Sequence, residues 1–173
     1  MIDRNQIRLA IAVIIVGVAT GATAGRRMYA PKVDHPFEVG SVLPLKEVIH
    51  IDGGAAVELH EVLLKPLTVV TLFSTKCGAC YGEAATWAEA ANQRTDTDVY
   101  ALAVTDDGTA VSEFSRKTGA KLQFGRISNA TRTVLRAVAV PTIYVVHADG
   151  RIVFSESGPE ATNDLKLRLP QLK

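Results

Sequence analysis

Neither sign of charge prevails in this sequence: 19 Lys and Arg face 18 Asp and Glu, a formal net charge of +1. Asp3, Arg4 and Arg8 carry that excess, and the rest of the chain balances at 17 of each sign. Nucleic-acid binding needs concentrated positive charge to displace phosphate counterions, so no nucleic-acid partner is expected. Pro-rich tracts, long charge blocks and internal repeats are missing, which sets aside disordered tails and solenoids. The four histidines, His35, His50, His60 and His147, show no ligand-like spacing, and no metal is expected on them. Cysteine is scarce, with two in 173 residues. Any sulfur chemistry therefore rests on one pair. What is present is a composition 47% hydrophobic and 21% charged, that of a targeting segment followed by one globular domain with a single core.

Between Arg8 and Arg26 run 17 uncharged residues, Leu9 to Gly25. At about 1.5 Å per residue this is marginal for a bilayer core roughly 30 Å thick. Two readings stand. One is an uncleaved signal anchor, favoured because Arg26 and Arg27 are unusual at a mature N-terminus. The other is a secretory signal peptide, with Ala22-Thr23-Ala24 as a small-x-small cleavage site. With a short N-terminal tail, the domain is expected on the extracytoplasmic side. It is then either a single-pass protein of the cell (inner) membrane or one secreted to the periplasm. The chain divides into residues 1–25, signal anchor or signal peptide, residues 26–46, a tether holding Pro31, Pro36 and Pro44, and a domain over 47–173.

Short strands are expected at Val48–Ile51 and Ala55–Leu59, around the hairpin signal Asp52-Gly53-Gly54. Leu67–Phe73 is β-branched, almost wholly apolar and too short for a stable helix, as in a central strand covered on both faces. Ser74 and Thr75 offer N-cap side chains for a helix from about Cys77 to Gln93, with Ala84, Trp87, Ala88 and Ala91 on its apolar stripe. Trp87 reads as core. A second core strand is expected over Val99–Val104, with helices over Thr109–Thr118 and Asn129–Ala137. Strands Thr142–His147 and Arg151–Ser155 are joined through Ala148-Asp149-Gly150, and a last helix begins near Pro159-Glu160. This order calls for an α/β fold: a parallel pair with a crossover helix, an antiparallel hairpin, and helices on both faces. Ligands of such sheets sit at the carboxyl ends of the parallel strands, where Ser74-Thr75-Lys76-Cys77 lies.

Cys77-Gly78-Ala79-Cys80 thus falls between a core strand and the start of a helix. A helix N-terminus presents unpaired N–H groups and the positive end of the dipole, and both favour a thiolate over a thiol. Cys77, beside Lys76, is the expected nucleophile. Cys80, three residues deeper on the same face, is placed to resolve the mixed disulfide. A purely structural disulfide is a weak alternative, because a two-residue loop removes little chain entropy from the unfolded state. Half of a zinc site is the other.

Leu72 to Cys80, with Val140-Pro141-Thr142 and a strand hairpin far downstream, resembles the thioredoxin superfamily. Residues Gly40-Ser41-Val42-Leu43-Pro44, the Asp52-Gly53-Gly54 hairpin and the leader make the wider pattern similar to its membrane-anchored TlpA/ResA branch. The resemblance covers about residues 40 to 169. It implies a thioredoxin-like fold and thiol-disulfide exchange with protein substrates, with no cofactor beyond the Cys77–Cys80 pair. It also implies electrons from a membrane thiol carrier, as in reductases that serve cytochrome c maturation. By position, Pro141 matches the superfamily's cis-proline facing the cysteines, with the Val140 backbone available to an extended substrate. Glu83 matches a glutamate three residues after the second cysteine, placed to exchange a proton with the resolving thiol; its alternative is a solvated carboxylate in an early helical turn. Departures are Lys76 where Trp is usual, which puts charge on the docking surface, Ala79 in place of a frequent Pro, and Thr71 where thioredoxins bury an aspartate. No Pro-x-x-x-Thr-x-x-Cys pattern surrounds Cys77, which disfavours peroxidase activity of the peroxiredoxin type. An oxidoreductase, a redox-inactive binding module of the same fold and a metallochaperone remain the competing functions.

Overall fold

A computed structural model describes residues 36–51, 55–105 and 107–173 of the chain. The leader over 1–25, the first ten residues of the tether and Asp52-Gly53-Gly54 lie outside the described residues. Among those described, no helix is long and apolar enough to cross a membrane.

The order of elements is β1 (Val48–Ile51), β2 (Ala56–Glu58), a 3₁₀ turn (Leu59–Val62), β3 (Leu67–Phe73), α1 (Gly78–Gln93), β4 (Thr97–Val104) and α2 (Gly108–Thr118). Then follow β5 (Gln123–Ile127), α3 (Asn129–Val134), β6 (Thr142–His147), β7 (Ile152–Ser157), α4 (Ala161–Arg168) and a 3₁₀ turn (Leu169–Gln171). The strands form one sheet in the order β2-β1-β5-β4-β3-β6-β7. β3, β4 and β5 are parallel, while β6 runs antiparallel to β3 and β7 to β6. All seven residues of β3 are buried, as its unbroken apolar run requires.

One strand differs from expectation. Gln123–Ile127 shows no strand signal, yet β5 extends the parallel pair to three and joins the N-terminal ribbon antiparallel through β1. Its centre is Gly125, which weakens strand propensity but is required there: a Cβ would stand 2.6 Å from the His50 carbonyl oxygen and 2.9 Å from a Leu102 methyl. α3 also ends earlier than its periodicity suggests, at Val134, because Arg136 turns to the left-handed region at φ 51°. Of the stretch read as a tether, Gly40 and Leu43 donate to the Ile152 and Gly150 carbonyls, and Leu43 is buried.

The two sheet faces carry separate clusters. On one, Phe73, Cys80, Trp87, Phe114, Phe124 and Leu165 bring α1, α2 and α4 onto the sheet. On the other, Leu59, Leu72, Leu102, Leu135 and Tyr144 pack with the first 3₁₀ turn and the end of α3. The cysteine pair stands at the carboxyl end of β3, on the first face.

Candidate active site

β3 ends at Phe73 and the chain turns at once. Cys77 N–H donates to the Ser74 carbonyl at 3.0 Å, and Lys76 N–H to the Ser74 hydroxyl at 3.2 Å. Because Ser74 is spent on this turn, neither Ser74 nor Thr75 caps the helix. Cys77 does: it is extended at φ −85°, ψ 107°, and its Sγ accepts from Cys80 N–H at 3.2 Å. The cap position therefore aims the sulfur at the unpaired amides of the first turn.

The two sulfurs are joined in a disulfide, with the Cα atoms 5.3 Å apart. Their exposures differ. Cys80 is fully buried, on the face of α1 that also buries Ala84, Trp87 and Ala90, while Cys77 is half-buried and Gly78 and Ala79 are open to solvent. One sulfur is reachable and the other is sealed beneath it. Tyr81, which the sequence analysis passed over, packs on Phe114 with ring centroids 4.4 Å apart and donates to the Thr75 carbonyl at 3.4 Å. It braces the turn from the side.

Val140–Pro141 is cis, as the resemblance implies. Leu72 pairs with Thr142, so continuing the register sets Pro141 opposite Phe73 and brings Val140 to the sheet end that carries Cys77. Cys77, Tyr81 and Val140 all pack, half-buried, on the cluster that holds Cys80. The Pro141 carbonyl accepts from Gly158 N–H at 2.8 Å, and the Thr142 hydroxyl donates to the Ala139 carbonyl at 2.6 Å. Upstream, the Tyr144 hydroxyl donates to the Leu135 carbonyl at 2.8 Å. Side chains of β6 therefore hold the loop that presents Val140.

Lys76 is exposed on the turn. Thr71 is buried on the Cys80 face of β3, and its hydroxyl has no hydrogen-bond partner. Glu83 is half-buried one turn beyond Cys80, and its Oε2 accepts from the Thr162 hydroxyl at 2.6 Å. Thr162 in turn accepts from Trp87 Nε1–H at 3.0 Å. Trp87 is core, as its place on the apolar stripe predicts. Among the described residues no cluster of three or more His, Cys, Asp or Glu is placed to hold a metal.

No family model matches the sequence, and no curated protein matches it either. Solved structures do. The thioredoxin domain of a thiol-disulfide oxidoreductase from Bacteroides vulgatus superposes with a TM-score of 0.65 at 17% identity, over 77% of this chain and 99% of that one. A secreted Mycobacterium tuberculosis disulfide oxidoreductase homologous to E. coli DsbE gives 0.59 at 19% identity, over 74% and 97%. A thiol:disulfide interchange protein from Bacteroides sp. gives 0.63 at 17% identity, over 78% and 91%. Parallel strands running into a cysteine-capped helix, a cis-proline at the same sheet end and these superpositions agree: the domain has the thioredoxin fold.

Proposed function

We infer that the protein is a thiol-disulfide oxidoreductase acting on protein substrates, with Cys77 as nucleophile and Cys80 as resolving thiol. The observation that carries this reading is the asymmetry of the pair: Cys77 caps α1 with its sulfur on a backbone amide and half open to solvent, while Cys80 is fully buried. In the reduced protein, the amide and the helix dipole favour a thiolate at Cys77. That thiolate attacks a substrate disulfide, one substrate sulfur leaves as thiolate, and a mixed disulfide forms. Cys80 then loses its proton and attacks Cys77 Sγ. The mixed disulfide breaks, the second substrate thiolate leaves, and two electrons have passed from the pair to the substrate. The Val140 backbone would pair with an extended substrate segment beside Pro141, Lys76 would favour an acidic flank, and Glu83 would accept the Cys80 proton.

Reduction of protein disulfides outside the cytoplasm is the favoured direction. Its support is the likeness to the TlpA/ResA branch, the apolar run Leu9–Gly25 and a structural neighbour that is secreted. In that setting the domain is held at the membrane by its N-terminal segment or released to the periplasm. A membrane thiol carrier would re-reduce the pair, and cytochrome c maturation is the process proposed for it.

The test is trapping. Cys80→Ala should accumulate mixed disulfides through Cys77 that are resolved by dithiothreitol, and Cys77→Ala should lose all insulin disulfide reduction. Wild-type protein that neither reduces insulin nor forms such adducts as Cys80→Ala would overturn the assignment and leave a redox-inactive binding domain.

A further inference from the structure

The hydrogen-bond chain from Trp87 through Thr162 to Glu83 has a fixed direction. An indole N–H only donates, and Trp87 Nε1 gives its proton to the Thr162 hydroxyl at 3.0 Å. Thr162 is 3% exposed, so the hydroxyl must place its own hydrogen within the protein, and the acceptor present is Glu83 Oε2 at 2.6 Å. One carboxylate oxygen is thereby committed. Oε1 carries no hydrogen bond from the described residues. Glu83 itself lies at i+3 from Cys80, on the same side of α1.

We propose that Thr162, oriented by Trp87, is a positioning residue for the second half of the reaction: it holds Glu83 by Oε2 so that Oε1 takes the Cys80 proton. The inference rests on the oxidoreductase reading and adds to it the way in which the buried thiol is deprotonated. In the step concerned, the Cys80 S–H proton passes to Glu83 Oε1 and the Cys80 sulfur attacks Cys77 Sγ. The Cys77–Cys80 bond forms, the Cys77–substrate bond breaks, and the departing thiolate carries off the electron pair. Other titratable groups on the two packed helices are engaged elsewhere or on different turns. Glu89 pairs with Lys166 at 3.5 Å, Glu160 accepts from Asn163, and the Tyr81 hydroxyl bonds the Thr75 carbonyl. Asp164 sits half-buried on α4 beyond Thr162. The Thr162–Glu83 contact was invisible in the sequence, since its partners stand 79 residues apart.

Reduced protein mixed with Ellman's reagent separates the steps, since Cys77 releases the first thionitrobenzoate and Cys80 the second. Across about pH 5 to 9, Thr162→Val should slow the second release about tenfold and flatten the same limb of its pH profile that Glu83→Gln flattens, with the first release unchanged. Thr162→Ser keeps the hydroxyl and should restore the profile. The double variant Thr162→Val/Glu83→Gln should be no slower than Glu83→Gln. Should Thr162→Val not fold, Trp87→Phe removes the orienting N–H together with part of the buried indole, and it should slow the second release about threefold in the wild-type background and not at all in the Glu83→Gln background. The proposal is overturned if whichever of these variants folds keeps the wild-type second release, if Thr162→Ser is as slow as Thr162→Val, or if Glu83→Gln changes nothing. Failure of the first release in wild-type protein would instead remove the oxidoreductase reading.

Discussion

On the sheet face that carries Cys80, the core is aromatic: the Phe73 ring lies 4.5 Å from Phe114, 5.8 Å from Trp87 and 6.2 Å from Phe124. On the opposite face aliphatic residues such as Leu72, Leu102, Ile127 and Val146 dominate, and the large ring Tyr144 spends its hydroxyl on the Leu135 carbonyl. The first face immobilises α1, and with it the buried sulfur, by ring packing on an unbroken strand. The second holds the irregular segment that leads to Val140 by aimed hydrogen bonds, because backbone without regular partners needs side chains to satisfy it. The segment crosses between them, with Leu135 and Ala137 in one cluster and Val140 packed on the other. The site is where a face built for rigidity meets a loop built for presentation.

The sharpest way to break this contrast is at Phe73. Phe73→Ala should cost about 3–5 kcal/mol of unfolding free energy by chemical denaturation, since the cavity opens among three other rings. It should also unseat α1 and raise the accessibility of Cys80 to alkylation in the reduced protein. Tyr144→Phe on the other face should cost less, about 1–3 kcal/mol, because it strands the Leu135 carbonyl but leaves the ring. Its mark should fall on turnover, with a higher KM for protein substrate and little change in Cys77 alkylation. Tyr144 also has an alkaline signature. Burial pushes its phenol up to about 12, so its contribution is complete below the ordinary value of 10.0 and is lost as pH rises through about 12. Tyr144→Phe should remove that decline.

The smallest effect belongs away from both faces. A hydrogen bond from the Arg94 guanidinium holds the Asp96 carboxyl down at about 2, from 3.8. Arg94 also donates to the Leu169 and Leu172 carbonyls, tying down the last turn. The lowered carboxyl supports the fold above its ordinary value, and this support is lost as pH falls through about 2. Unfolding midpoints of Arg94→Met should therefore depend less on pH than wild type between about 4 and 2, with the difference shrinking in high salt because the pair is only partly buried.

The sequence made the reacting pair and its setting readable because local rules govern them. An apolar β-branched run, a turn and a small-residue Cys-Gly-Ala-Cys at a helix start leave few arrangements. Trp87 and the β6–β7 hairpin were readable for the same reason. The cis bond before Pro141 came only from resemblance, since nothing local distinguishes it. What stayed hidden depends on distant partners. β5 reads as a loop because Gly125 has no side chain, and only the approach of the His50 carbonyl explains why none fits. The helical pattern through Ala137 misleads because Arg136 turns left-handed, with its guanidinium 4.3 Å over the Phe37 ring. Ser74 is a sound cap candidate by composition, yet its hydroxyl serves Lys76 N–H and leaves the cap to Cys77.

Alkylation of Cys77 tests the central claim most directly. In reduced Cys80→Ala protein, the single remaining thiol should react with iodoacetamide near neutral pH at least about tenfold faster than glutathione, because the α1 amides hold it as thiolate. A rate equal to or below that of glutathione would contradict the account.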